Sequence, residues 1–321
     1  MTQSQKALLL AVVIPTIYGL ILRFLFGLDE WNEIFGIMTL TFLIVLPGIM
    51  GILTVYFSPI DSIRKTEYRV LAPWAPVFLL LIITLLFSIE GWACWLMILP
   101  IFLLMASLGG LLGGHLKLKK SEKKLSVSLV VLLPFLFGPL ESLVDSQPTT
   151  FVAYTYIDIK APADKIWNQV TKVSEISLEE DKGYLTRFLG FPRPVKAELI
   201  FEGIGAYRSA IFTNGLVFHE TVTEYKENQK MSFTIKANPH EIPSTTLDSH
   251  IVIGGEFFDV LNGTYELEAI SNNYYRLHLS SQFQMNTTFN FYAGWWGKLI
   301  MKDIQNNILQ VEKKRAEMNV K

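Results

Sequence analysis

Five apolar segments stand one after another in the first half of the chain, at residues 7–26, 34–57, 70–89, 92–112 and 125–144. A helix needs about 20 residues to cross the hydrocarbon core of a bilayer, and each segment is near or above that length. Residues 1–145 therefore read as an α-helical transmembrane bundle, integral to a membrane. The first segment follows only Lys6 and lacks a small-residue cleavage site, so it reads as a retained helix rather than a signal peptide. Glu90 and Gly91 alone separate the third and fourth, which predicts a tight hairpin. Pro134, Pro139 and Glu141 interrupt the fifth, the weakest of the set.

Charge orients the bundle. Asp29, Glu30 and Glu33 follow the first segment without Lys or Arg, whereas Arg64, Lys65 and Arg69 follow the second. Lys117, Lys119, Lys120, Lys123 and Lys124 follow the fourth. Positive loops stay cytoplasmic, so five crossings from an inside N-terminus put the rest of the chain outside. A re-entrant fifth segment would instead leave it in the cytoplasm. Arg23 and Glu141 lie within or near the spans and are expected to snorkel from near helix ends to the interface. With no cluster of charges in the spans and no inverted repeat, an ion-coupled transporter is disfavoured. The formal charge of −1 gives no basic field for nucleic acid, and the single Cys94 cannot form an internal disulfide.

After a polar linker the texture changes, and residues 146–321 read as a second domain. Residues 151–160 alternate and are rich in β-branched and aromatic side chains, which predicts a strand. Pro162 and Asp164 open a helix whose buried face is Ile166, Trp167 and Val170, and a short second helix is expected within 174–190. Strands follow at 195–201, 207–212, 216–225, 231–236, 264–270 and 274–285, with Gly203, Gly205 and Asn214-Gly215 at turns. One-sided alternation in the last strand predicts an antiparallel sheet with one buried face. Residues 290–317 then predict a helix of about seven turns, its apolar stripe Trp296, Ile300, Ile304, Ile308 and Val311. Lys298, Lys302, Asp303, Gln305, Asn306 and Gln310 are placed on the opposite side, and residues 312–315 in a basic last turn. Gly294 and Gly297 predict close packing or a loosened first turn.

This order of elements, the opening IDIKAPADKIWNQV and the closing amphipathic helix resemble the START-like superfamily, which includes polyketide cyclases and lipid-transfer domains. The resemblance covers residues 151–317 and implies an α+β helix-grip fold, an antiparallel sheet around a long C-terminal helix with a cavity between them. Its bacterial cyclase/dehydrase-like branch shares the strand, Pro turn and Trp-bearing helix, so the membrane implied is a bacterial inner (plasma) membrane, the domain extracytoplasmic. The superfamily has no shared catalytic motif, and no cofactor or metal is implied.

Candidate ligand contacts are Phe191, Arg193, Arg208, Phe218, Glu220, Phe233, Phe257, Phe283 and Trp296. His219 and Glu220 point to opposite faces of their strand, with Glu220 on the side of Leu216, Phe218 and Val222. Glu220 is then either an acid/base, a partner of Arg208 or Arg193, or a contact for a polar head group. Arg193, stiffened between Pro192 and Pro194, is either an anion holder or a solvated loop residue. The long interruption 237–263 reads as a surface excursion or as a lid closing Phe257 and Phe258 on a ligand. His240, Asp248 and His250 in it match no recognised metal spacing. Of Tyr292, Trp295 and Trp296, one Trp either touches the bilayer or both pack beneath the sheet.

No phosphate loop, GxSxG, HExxH or cysteine nucleophile occurs in the second half. The leading expectation is a membrane-anchored, non-enzymatic domain that binds a lipid or apolar small molecule, for transfer or sensing. It requires a cavity large enough for such a ligand. The alternatives are a cyclase or dehydratase acting through Glu220 or a lid histidine, and a module that docks a protein partner through an exposed apolar patch.

Overall fold

The computed structural model describes residues 3–28, 36–119, 127–143, 147–238 and 253–318. The acidic loop at Asp29, Glu30 and Glu33, the lysines 120, 123 and 124, and the segment bearing His240, Asp248 and His250 lie outside the described residues. The chain divides into two compact units, Met1–Ser146 and Gln147–Lys321.

The first unit is helical: α1 (Gln3–Phe26), a π-helical turn (Thr41–Val45) running into α2 (Leu46–Phe57), α3 (Ile60–Ile63), α4 (Thr66–Leu71), α5 (Trp74–Leu86), α6 (Trp92–Leu118), α7 (Val127–Val131) and α8 (Leu133–Ser142). Among the described residues, three helical stretches are long and apolar enough to cross a membrane: Gln3–Phe26, Thr66–Leu86 and Trp92–Leu118. Thr41–Phe57 and Leu129–Ser142 are shorter. The second and fifth expected spans are thus cut short, the fifth by the break between α7 and α8, ahead of Pro134. Close packing of α2 on α6 depends on small residues. A methyl group on Gly51 would strike the carbonyl of Ala106, and one on Gly109 that of Gly48.

Arg23 and Glu141 do not snorkel. Arg23 is buried, ion-paired with Glu90, and donates to the Ile89 carbonyl at 3.0 Å. Glu141 accepts from the backbone N–H groups of Leu40 and Thr41 at 2.6 and 2.8 Å and from the Thr41 hydroxyl at 2.6 Å. A carboxylate there meets the unsatisfied donors and positive end of the helix that begins at the π turn. Lys117 does the converse for α2, donating to the carbonyls of Val55, Tyr56 and Ser58. The polar groups find partners inside the protein, so they have no need to reach the interface.

The second unit runs β1 (Thr149–Ile159), α9 (Ala163–Thr171), α10 (Tyr184–Leu189), β2 (Pro194–Leu199), β3 (Tyr207–Phe212), β4 (Val217–Lys226), β5 (Lys230–Ala237), β6 (Phe258–Ser271), β7 (Tyr274–Met285) and α11 (Asn290–Met318). Its seven strands form one antiparallel sheet in the order β1-β7-β6-β5-β4-β3-β2. Asn214 and Gly215, with φ of 63° and 80°, turn β3 into β4. The curled sheet with α11 against it is a helix-grip arrangement. β6 starts earlier than the sequence implies: Phe258 pairs with Met285 and Asp259 with Gln284, so those residues belong to the sheet rather than to the loop.

The buried face of α11 is rotated from the expected stripe. Gly294, Gly297, Met301, Gln305, Leu309, Glu312 and Ala316 are buried, as is Asn307; of the expected stripe Val311 is buried, while Trp296, Ile300, Ile304 and Ile308 are half-buried. A Cβ on Gly294 would strike the Phe151 ring, and one on Gly297 the Phe283 ring, so these glycines allow close packing on the sheet. Gln305, expected in solvent, donates to the Ala153 carbonyl and the Ser281 hydroxyl and accepts from the Thr155 hydroxyl. Asp303 accepts from the N–H and hydroxyl of Thr186 and ties down α10. Arg315, in the last turn, donates to Glu180 and to the carbonyls of Ser174 and Glu175.

Candidate functional site

Between the concave face of the sheet and α11 lies a cavity of about 80 Å³. Most of its wall is apolar: Ala210, Phe212 and Phe218 from β3 and β4, Ile235 from β5, Val260 from β6, and Met301, Ile304 and Ile308 from α11. Arg208, Glu220, Tyr265, Ser281 and Gln305 are polar groups of the wall, as is Lys196, whose ammonium is bonded to Glu198. The alternation of β3 and β4 puts Arg208 directly across from Glu220 on the inward face. Their side chains form an ion pair of 2.5 Å, each 4% exposed. The guanidinium also lies 5.5 Å from the centre of the Phe233 ring and donates to the Val170 carbonyl at 3.4 Å.

The pair is not fully satisfied. Arg208 Nε is buried and has no hydrogen-bond partner among the described residues. Nearby is a third ionisable group, Glu312 of α11, whose two carboxyl oxygens also lack partners there. The Tyr265 hydroxyl and the Arg208 guanidinium are close enough to influence Glu312, but no hydrogen bond of ordinary geometry forms. Burial raises the Glu312 carboxyl to about 8, against the smaller opposing pull of Arg208 and Tyr265. Burial likewise raises Glu220, with Arg208 opposing, and raises the Tyr265 phenol. At neutral pH Glu312 is therefore an uncharged acid, and Arg208 balances Glu220.

Of the nine candidate contacts, the structure brings Arg208, Phe218, Glu220 and Phe233 to the cavity wall. Phe283 is fully buried but packs between Phe151, Phe258 and Gly297 instead. Phe257 and Phe191 are half-buried away from the wall; the Phe257 carbonyl accepts from the N–H of Asn286 and the Phe191 N–H donates to the Thr186 carbonyl. Trp296 is half-buried beside Trp295, 5.0 Å between ring centres, and also stands off the wall. Arg193 neither holds an open anion site nor sits free. It is ion-paired with the buried Asp181, and its N–H donates to the Thr213 hydroxyl. Sequence reasoning missed Tyr265, Gln305 and Glu312. The signal was present: 301, 305, 308 and 312 repeat at steps of four, three and four, with polar residues inside the stripe.

Among the described residues, the space between the sheet and α11 is smaller than the lipid-sized cavity expected from the sequence. Ligand pockets commonly enclose about 300–1,000 Å³, and a cavity of about 150 Å³ accepts benzene. The space here suits a few waters or a small organic fragment.

No protein family model matches the chain, and no curated protein matches it in sequence. Among solved structures, it is similar to truncated norcoclaurine synthase from Thalictrum flavum, at 15% identity over 53% of this chain and 94% of that one, with a TM-score of 0.32. It is also similar to the Zhui aromatase/cyclase from Streptomyces sp. R1128, at 13% identity over 54% and 97%, TM-score 0.35. The Aha1 dimer from Colwellia psychrerythraea matches at 16% identity over 52% and 97%, TM-score 0.30.

Proposed function

We propose that the chain is a membrane-anchored binding protein. Its helical unit sits in a bilayer, and its sheet unit admits a small, mostly apolar molecule with one hydrogen-bonding group. The observation that carries this reading is an apolar cavity whose polar corner, Arg208, Glu220 and Tyr265, includes an unpartnered guanidinium nitrogen. Buried polar groups are nearly always satisfied, so an unpartnered donor in a cavity wall is a place for a guest's acceptor. Glu220 is held by Arg208 rather than poised for proton transfer, which favours binding over the cyclase-like alternative. A lipid-sized guest would need the walls to part.

Native mass spectrometry of the full-length protein, released gently from its membrane, tests this. The wild type should carry a small adduct that leaves on denaturation, and Ala210→Leu, which fills the cavity, should carry none. An adduct-free wild type that Ala210→Leu only makes more stable would mean a mere packing defect, and the reading would fail.

The side of the membrane turns on residues 127–142. The helix there is broken between α7 and α8 at Leu132, ahead of Pro134, which supports the re-entrant reading, with the sheet unit on the cytoplasmic side, over the extracytoplasmic one expected from five full crossings. A phosphatase that is active only outside, fused after Lys321, should then be silent. An active fusion restores five crossings.

A further inference from the structure

The first turns of α11 carry a surface that the cavity does not use. Phe291 is 72% exposed and Trp295 52%. Leu299 follows one turn on, also exposed. Lys302, eleven residues after Phe291, is exposed on the same face by helical spacing; Lys298, seven after it, is half-buried with its ammonium 5.2 Å from the centre of the Phe151 ring. Trp295 is braced from below, stacked on Tyr292 and edge-to-face with Trp296. Aromatic rings followed by lysines are the side chains that settle in the headgroup layer of a bilayer, the rings at the acyl boundary and the ammonium groups at the phosphates.

The location of this surface indicates what covers it. Asn290, the first residue of α11, donates to the Gln147 carbonyl at 3.2 Å and to the Thr149 hydroxyl at 3.0 Å. It also accepts from the N–H and hydroxyl of Thr287. The start of α11 is thereby pinned to the place where the chain enters the sheet unit. Gln147 comes four residues after Leu143, the end of the apolar α8 region, so the tether spans at most roughly 14 Å. This aromatic surface is joined by those bonds to the tether itself.

We propose that Phe291 and Trp295, with Lys302 behind them, dock onto the surface of the bilayer that holds the helical unit. This rests on the membrane reading of that unit, and does not depend on what enters the cavity. Docking at both the tether and α11 would fix the tilt of the sheet unit against the membrane.

Spin labelling of the full-length protein in vesicles of phosphatidylcholine and phosphatidylglycerol tests the proposal. With Cys94→Ser as background, single cysteines are placed at Phe291, Trp295, Leu178 and Ile17, all exposed side chains. The ratio of oxygen to nickel-chelate accessibility should be several-fold higher at 291 and 295 than at 178, approaching that at 17. Labels at 291 and 295 as water-accessible as 178, with 17 in the acyl region, would overturn docking and leave the membrane reading standing. A water-exposed label at 17 would overturn the membrane reading, and docking with it. Shielding of 291 and 295 from both reagents would overturn docking in favour of a protein partner or a second copy.

Discussion

In the helical unit, Glu141 accepts three hydrogen bonds at the start of one helix and Lys117 donates to three carbonyls at the end of another. In the sheet unit, Glu312 and Arg208 Nε are buried with no such partner among the described residues. Apart from Arg69 Nε, the buried unpartnered side-chain atoms described in the molecule all belong to the sheet unit. The contrast separates two uses of polarity. In the helical unit, charge is spent on helix ends and scaffold integrity. Where a cavity adjoins the core, charge is left in reserve. Such reserve lowers stability, and the proposed binding role would account for it where folding does not.

The largest effect that would sharpen this contrast is at the ion pair. Arg208→Met strands the Glu220 carboxylate, and urea unfolding should show a loss of about 3–5 kcal/mol. Adding Glu220→Leu should recover most of it, because the pair's mutual attraction mainly offsets its own desolvation. A loss below about 1 kcal/mol would mean that water reaches the pair, and the contrast would break.

A smaller effect distinguishes the two units by sign. The Glu312 carboxyl titrates near its ordinary 4.5 when unfolded and at about 8 when folded. Between those values the folded form keeps a proton that the unfolded form releases. Its favourable contribution is therefore complete below pH 4.5 and is lost as pH rises to about 8. Glu312→Gln should remove that slope, gaining about 1–3 kcal/mol above pH 8 and nothing near pH 4.5. Glu220 and Asp259, also raised by burial, share the sign, so the comparison is between variant and wild type across pH. Glu180, held at about 2 by Arg315, acts only in the acid limb. The same change in the helical unit, Glu141→Gln, should instead cost about 1 kcal/mol at neutral pH, since it weakens a helix cap. Thermal unfolding of each variant across pH reads both.

Much of the sheet was legible because alternation is local: β3 and β7 run over the residues that the pattern marks. Partners distant in sequence were not. Arg23 meets Glu90 and Thr41 meets Glu141 across 67 and 100 positions, and no local rule pairs them. The stripe of α11 departs from its hydrophobic pattern because a polar side chain need not face water: Gln305 has three partners on β1 and β7. Cavity size was illegible for a different reason. It is the small remainder after some twenty side chains fill a space, and a change of one methylene alters it.

The three hydrogen bonds of Gln305 also set the phase of the helix. A slip of one residue moves α11 by about 1.5 Å along its axis and turns it by about 100°, so every bond at that amide breaks together. The helix is thereby keyed to β1 and β7, and the interior cannot swell by letting it slide or roll. The opposite margin, β2, is paired with β3 on one side and bonded on the other only to Val173 and Ile176, and it carries an irregularity at Pro194 and Lys196. Attempts to fit a larger guest should remodel β2 and β3, and leave the helix and its glutamine as the fixed datum from which the rest is measured.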